Sequence, residues 1–322
     1  MIKFSAPGKV YLFGEHAVVY GEPALACAID ERVFVTVEER SDNVIKVFSN
    51  DLFFKDVTVE LINDETRLIP GERTLKPLEY VFESIKEIKS IEKDIPGFEM
   101  NIESQLPYGG GLGSSAAVTV ASIKSLSELL GLELTKDEIA ETAYRVEKKV
   151  QKRASPCDTF TSTMGGLTWV ETGEELEKKG SLEIPVVIGF TGQPGPTGVL
   201  VEQVSRLKES FPEIIEPVIT SIGKITKQGL QSVNKNDYDA VGRLMNVNHG
   251  LLDSLGVGTQ KLNEIVYIAR EAGASGAKIT GAGGGGCILA IGNNSQKIKS
   301  SIKSNGYEAF ETKITRTGVR EE

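Results

Sequence analysis

Apolar and polar residues alternate through much of the first hundred positions. Val33, Val35 and Val37 take turns with Phe34, Thr36 and Glu38, and Val57, Val59 and Leu61 with Thr58 and Glu60. Phe98, Met100 and Ile102 do the same with Glu99, Asn101 and Glu103. A period of two means one buried and one wet face, the habit of antiparallel sheets rather than doubly wound parallel ones. Between these strands, residues 75–91 read as a helix. From residue 114 the period lengthens: Ala116, Val120, Ile123, Leu126 and Leu130 recur at threes and fours and predict an amphipathic helix. A second helix is predicted from Thr135 to Lys152, with Ile139, Ala143, Val146 and Val150 on its apolar face and Thr135 and Glu138 as a capping box. Pro156 forbids its continuation, so the stretch from Arg153 to Cys157 reads as a turn.

A strand over 166–171 leads into polar residues 172–182, which places a domain boundary near 175. Beyond it the pattern predicts a strand at 185–190, a helix-rich region at 197–272 and a strand at 277–280. A glycine run, a strand at 287–291, a short helix and a last strand near 308–314 follow. The expected fold class is α+β in two domains, 1–175 and 176–322.

A length of 322 residues is ample for two packed cores, and 40% hydrophobic with 25% charged residues excludes wholesale disorder. The net charge of −9 lacks the positive field behind sequence-independent nucleic-acid binding, so no nucleic-acid partner is expected. Three scattered cysteines without a CxxC pair, and two histidines, exclude a zinc cluster and a disulfide framework and suit a reducing compartment. Residues 1–9 reach charges too soon for a signal peptide, and the longest uncharged stretches, such as Ile184 to Val201, are broken by Pro and Gly and are not expected to span a bilayer. A cytoplasmic protein with no membrane partner is expected. The pattern leaves the oligomeric state open, a homodimer included.

The outlier is glycine, 34 in all, and its placement is informative. In Pro107-Tyr108-Gly109-Gly110-Gly111-Leu112-Gly113-Ser114-Ser115-Ala116 a strand enters, side chains are cleared away and a helix begins. Backbone N–H groups and the helix dipole make such a start an anion site, with phosphate the usual occupant. A Walker loop would end in GK[ST], which is absent here, and no buried parallel strand ending in an acid follows to complete a dinucleotide fold. The alternative is a turn that merely lets the helix pack tightly. A second run, Lys278-Ile279-Thr280-Gly281-Ala282-Gly283-Gly284-Gly285-Gly286-Cys287, lies between two strands. Close approach to a ligand or to the other half would explain it, as would a bulge or a flexible loop. Near the start, Lys9, Glu15 and His16 interrupt apolar segments, a weak signal by composition.

Glu147 flanks the apolar face of its predicted helix, and Asp158 follows the turn after it. One carboxylate for Mg²⁺ and another for a proton is what phosphoryl transfer to a hydroxyl requires. A solvated Glu147 beside Lys148 and Lys149, with Asp158 forming a turn, is the plainer alternative.

Taken together, Pro7-Gly8-Lys9-Val10-Tyr11-Leu12-Phe13-Gly14-Glu15-His16, Gly109 to Ala116 and Gly281 to Cys287 resemble, in order, the three motifs of the GHMP small-molecule kinases. The run Gly14-Glu15-His16-Ala17-Val18-Val19-Tyr20-Gly21 resembles the branch of that family that phosphorylates mevalonate. Ser155-Pro156-Cys157-Asp158-Thr159 resembles the loop bearing the family's catalytic Asp, with Pro or Cys in place of its usual Gly. The resemblance implies an N-terminal domain like ribosomal protein S5 domain 2 and a ferredoxin-like C-terminal domain, with ATP and acceptor between them. It implies that Pro107 and Gly109 to Ala116, with Gly110, Gly111, Leu112, Gly113 and Ser114 among them, wrap the ATP phosphates. Ser115 and Glu147 would ligate Mg²⁺. Asp158 would act as base or orienter with Lys9 beside it, and Lys9, Glu15, His16 and Asp158 would bind the acceptor. The implied reaction converts mevalonate and ATP to 5-phosphomevalonate and ADP. Lys9 near Asp158 would also hold that carboxylate ionised. A kinase for a related or already phosphorylated alcohol and a non-catalytic sensor on the same fold are the alternatives. His16 speaks against the first; Lys9, Glu147 and Asp158 speak against the second.

Overall fold

The computed structural model describes residues 1–42, 44–49, 58–62, 65–69, 76–107, 109–151, 155–171, 176–180 and 182–322. Two long antiparallel strands open the chain, β1 (Ile2–Phe13) and β2 (Ala24–Glu39), joined through a 3-10 turn at Ala17–Tyr20. β3 (Ile45–Ser49), β4 (Thr58–Ile62) and β5 (Glu65–Ile69) follow, then α1 (Lys76–Ile91) and β6 (Phe98–Ser104). The sheet runs β1-β2-β6-β3-β4-β5, antiparallel as the alternation predicts, except that β3 and β6 pair in parallel. That exception has a topological cause: the chain crosses between them through a hairpin and a helix. Val57 and Leu75 lie outside the described residues.

α2 (Ser114–Leu129) lies on the sheet, α3 (Lys136–Gln151) packs on α1 and α2, and α4 (Pro156–Met164) meets both α3 and the sheet. Val120, Ile123 and Leu126 of α2 are buried in one cluster with Val33, Val35 and Val37 of β2 and Phe98, Met100 and Ile102 of β6. Each such side chain contributes about 1.5–3 kcal/mol by leaving water. The capping box at α3 forms, with the Thr135 N–H on Glu138 Oε2 at 2.8 Å and the Glu138 N–H on Thr135 Oγ1 at 3.3 Å.

Lys152, Arg153 and Ala154 lie outside the described residues, and the rest of the turn expected before Asp158 is corrected: Pro156 starts a new helix. Ser155 Oγ accepts the Cys157 N–H at 3.2 Å, and proline is tolerated in the first turn because its missing N–H would have no partner there. The hydroxyl-rich sequence of α4 disguises it. Thr159, Thr161 and Thr163 satisfy their buried hydroxyls on helix carbonyls three or four residues back, at 3.1, 2.7 and 2.7 Å.

β7 (Leu167–Val170) pairs with the start of β2, and β8 (Glu177–Lys178) with β7. The chain then enters a second sheet through β9 (Val186–Phe190). α5 (Thr197–Ser210), α6 (Pro212–Asn234), α7 (Tyr238–Ser254) and α8 (Gln260–Glu271) lead to β10 (Gly276–Ile279), β11 (Cys287–Ile291), α9 (Ser295–Ser304) and β12 (Glu308–Thr312). This sheet is antiparallel in the order β10-β11-β9-β12 and has its own core, including Val187, Ile265, Ile288 and Ile302. The chain finally returns to the first sheet, where β13 (Arg320–Glu321) pairs with Phe4 and Ser5 of β1. Among the described residues no helix is long and apolar enough to cross a membrane, and all three cysteines are free and buried.

Candidate active site

Gly113 precedes α2 with φ of 72°, and a Cβ there would lie 2.9 Å from Lys9 Cγ, so both backbone and neighbour demand glycine. The first intrahelical bond of α2 joins the Ala117 N–H to Gly113 O at 3.0 Å, which leaves the amides of Ser114, Ser115 and Ala116 pointing off the helix end. That is the geometry of an anion site. Beside it, the Gly110 N–H turns back on Pro107 O at 3.3 Å; Tyr108 lies outside the described residues.

The second glycine run closes on the first. A Cβ at Gly286, where φ is 75°, would lie 3.0 Å from Gly110 O, so the two loops approach backbone to backbone. Of the readings left open by the sequence, close approach is the observed one. Between the loops lies a cavity of about 180 Å³, with Gly109, Gly110 and Gly111 on one side and Thr280, Ala282 and Gly283 on the other. Gly195 and Thr197 complete its wall, and the Thr191 N–H and hydroxyl both reach Gly286 O at 3.0 Å.

Lys9 stands where the glycine loop meets α4. Its N–H bonds to Leu112 O at 2.8 Å, and its ammonium pairs with Asp158 at 2.9 Å although only 4% of the residue is exposed. Ser115 Oγ donates to Glu147 Oε1 at 2.9 Å, and Glu147 is buried. Burial, and then the nearby Asp158 carboxylate, push the Glu147 carboxyl up to about 7, while the Ser115 bond and Lys9 pull the other way. Two carboxylates and a hydroxyl gathered with too little cationic charge are a hard-oxygen set that fits Mg²⁺. Among the described residues no group of three or more His, Cys, Asp or Glu side chains is arranged to hold a metal ion.

Glu15 and His16 lead elsewhere than Lys9. Glu15 is buried and ion-paired with Lys278 of β10, a residue with no exposed surface, and Asn248 Nδ2 donates to its other oxygen at 3.4 Å. Burial pulls the Lys278 ammonium down and Glu15 opposes this; the ammonium also donates to Ile279 O at 2.5 Å. His16 adopts φ of 60°, rare outside glycine, and is held there by Nε2–H donating to Ala282 O at 2.9 Å. Burial lowers its pKa, which keeps the ring neutral. Thr280 Oγ1 accepts the Tyr11 N–H at 2.9 Å and donates to Tyr11 O at 3.2 Å. Asn248 escaped the sequence reading, and Lys278, Thr280 and Tyr11 stood in its motifs without a role assigned to them. The one available signal was a lysine between Ala277 and Ile279, since a charge inside an apolar strand needs a partner.

Two antiparallel halves meeting at opposed glycine loops, with a Lys–Asp pair and a Ser–Glu pair beside them, define a small-molecule kinase of the GHMP class. The family descriptions "GHMP kinases N terminal domain" and "GHMP kinases C terminal" match residues 79–166 and 230–308, and a "Galactokinase galactose-binding signature" matches residues 2–39. The mevalonate kinase of Pyrococcus furiosus is 44% identical over 98% of this chain and 97% of its own length. The Methanococcus jannaschii mevalonate kinase structure superposes with a TM-score of 0.83 at 30% identity, covering 97% of this chain and 98% of that one. L. major mevalonate kinase in complex with R-mevalonate superposes with a TM-score of 0.81 at 25% identity, covering 97% and 96%. The chain belongs to the mevalonate kinase family.

Proposed function

We propose that this chain transfers the γ-phosphoryl group of ATP to the 5-hydroxyl of mevalonate, giving 5-phosphomevalonate and ADP. The observation that carries the reading is the double attachment of Lys9, by its backbone to Leu112 in the glycine loop at 2.8 Å and by its ammonium to Asp158 at 2.9 Å. One residue thereby ties the phosphate-holding loop to the carboxylate that meets the acceptor.

In this mechanism Gly109 to Ser115 hold the phosphates on backbone amides. Asp158 accepts the hydrogen bond of the acceptor hydroxyl and takes its proton as the new P–O bond forms and the β–γ bridge breaks. Lys9 offsets negative charge gathering on the transferred group, which in a loose transition state is most of the catalytic task. Ser115 and Glu147 would hold Mg²⁺, which would offset negative charge on the phosphate oxygens when bound. His16 lines the acceptor side, with Glu15 fixed behind it by Lys278. We assign the protein to the cytoplasm, where its three free thiols would stay reduced.

Purified protein with ATP, Mg²⁺ and mevalonate is expected to form ADP and 5-phosphomevalonate, identified by mass spectrometry. A preference for phosphomevalonate as acceptor would overturn the assignment. Asp158→Asn keeps the side-chain shape and is expected to lower kcat by about 10²–10⁴. A folded variant with near-normal kcat would remove Asp158 from the mechanism.

A further inference from the structure

Tyr11 has no part in the mechanism above, yet its ring meets the ammonium of the catalytic pair. The Lys9 ammonium lies 3.9 Å from the centre of its ring. Its hydroxyl is buried, and the neighbouring Cys157 and Asp158 add to the burial that raises its pKa. Its backbone is pinned from the other half of the molecule, both N–H and C=O meeting the single hydroxyl of Thr280 at 2.9 and 3.2 Å. Thr280 in turn lines the cavity between the glycine loops.

A lysine ammonium sits on a flexible four-carbon stem, and one carboxylate at 2.9 Å leaves it free to swing about that contact. Buried as Lys9 is, it lacks a full water shell to compete for it. An aromatic face attracts a desolvated cation and supplies a second fixed point. Resting on the phosphotransfer assigned above to Lys9 and Asp158, we propose that Tyr11 is a positioning residue: its ring fixes the Lys9 ammonium over the reacting centre, and its backbone couples that position to the glycine loop at Thr280.

Three single variants and one double variant test this: Tyr11→Leu, Tyr11→Phe, Thr280→Val and Thr280→Val/Tyr11→Leu. Tyr11→Leu removes the aromatic face and is expected to lower kcat about five- to tenfold, with KM for ATP and mevalonate within about threefold of normal. Tyr11→Phe keeps the face and is expected to restore kcat. Thr280→Val is expected to lower kcat as well, and the Thr280→Val/Tyr11→Leu double variant to lose less than the product of the two single losses, because both act on one ammonium. A second readout needs no substrate: the ¹H–¹⁵N NMR signal of the Lys9 ammonium, visible when the group is held, should persist in Tyr11→Phe and broaden away in Tyr11→Leu. A wild-type protein inactive on mevalonate would sink the functional assignment and leave this NMR comparison to decide the role of Tyr11. Unchanged kcat and an unchanged ammonium signal in Tyr11→Leu would overturn the proposal. So would a loss shared equally by Tyr11→Phe, or one confined to KM.

Discussion

His249 lies on α7 with 4% of its surface exposed, and there burial, reinforced by the Arg270 and Lys278 cations, lowers its pKa to about 4. Asp253 and Asn263 pull less strongly the other way. In the unfolded chain the ring titrates near 6.5, so between the two values the unfolded state binds more protons. This contribution is therefore complete above pH 6.5 and is lost as pH falls towards 4, by about 3 kcal/mol in all. Denaturant unfolding of wild type and His249→Gln at pH 7.5, 5.5 and 4.5 reads it as the difference between the two slopes. Parallel slopes would show that the folded protein protonates His249 without cost. At this scale the sequence revealed the residues that stand in contiguous motifs, such as Lys9, Ser115 and Asp158. It hid those whose meaning lies in a partner far along the chain: Lys278 meets Glu15 across 263 positions and Thr280 meets Tyr11 across 269. No local period records such a meeting.

Among elements, α4 carries most of the risk. It is nine residues long, rich in threonine, and presents Asp158 in its first turn, so its own propensity holds it weakly. The Ser155 cap compensates in part. Ser155→Ala is expected to cost about 1 kcal/mol in denaturant unfolding and to lower kcat through fraying of the turn that holds Asp158, by less than Asp158→Asn does. Full stability together with full kcat would mean that packing alone sets this turn. β6 and the second half of β2 were legible because burial on one face imposes a strict period, whereas β1 is buried on both faces and α2, expected to be amphipathic, is buried nearly all round between the sheet and its neighbouring helices. α4 was not legible, since its buried hydroxyls mimic a polar loop until their bonds to helix carbonyls are seen. The glycine runs were legible as backbone without side chains, while the fact that they face each other depends on how the two sheets are docked.

For the whole molecule, Arg32 is the deepest charge in the joint between first and last segments. Fully buried on β2, it donates to Ser5 Oγ at 2.6 Å, Ser5 O at 3.1 Å and Gly318 O at 2.5 Å. Burial lowers its pKa to about 10, which leaves it cationic at neutral pH. Arg32→Met would remove these three hydrogen bonds and the cation facing Asp30 and Glu322, at an expected cost of about 3–5 kcal/mol. Limited proteolysis of the variant should clip residues 316–322 first, and an unchanged cleavage pattern would show that the segment is anchored by other contacts. The pairing of β13 with β1 has a consequence for the order in which the protein is made. Synthesis delivers the partner of Phe4 and Ser5 more than three hundred residues after them, so part of the first strand's outer rim waits uncovered on the order of tens of seconds at ordinary translation speeds. A bare strand rim invites pairing with foreign chains. The nascent polypeptide is thus most vulnerable to clumping while it is still attached to the ribosome, and it should benefit from a chaperone that shields its leading end.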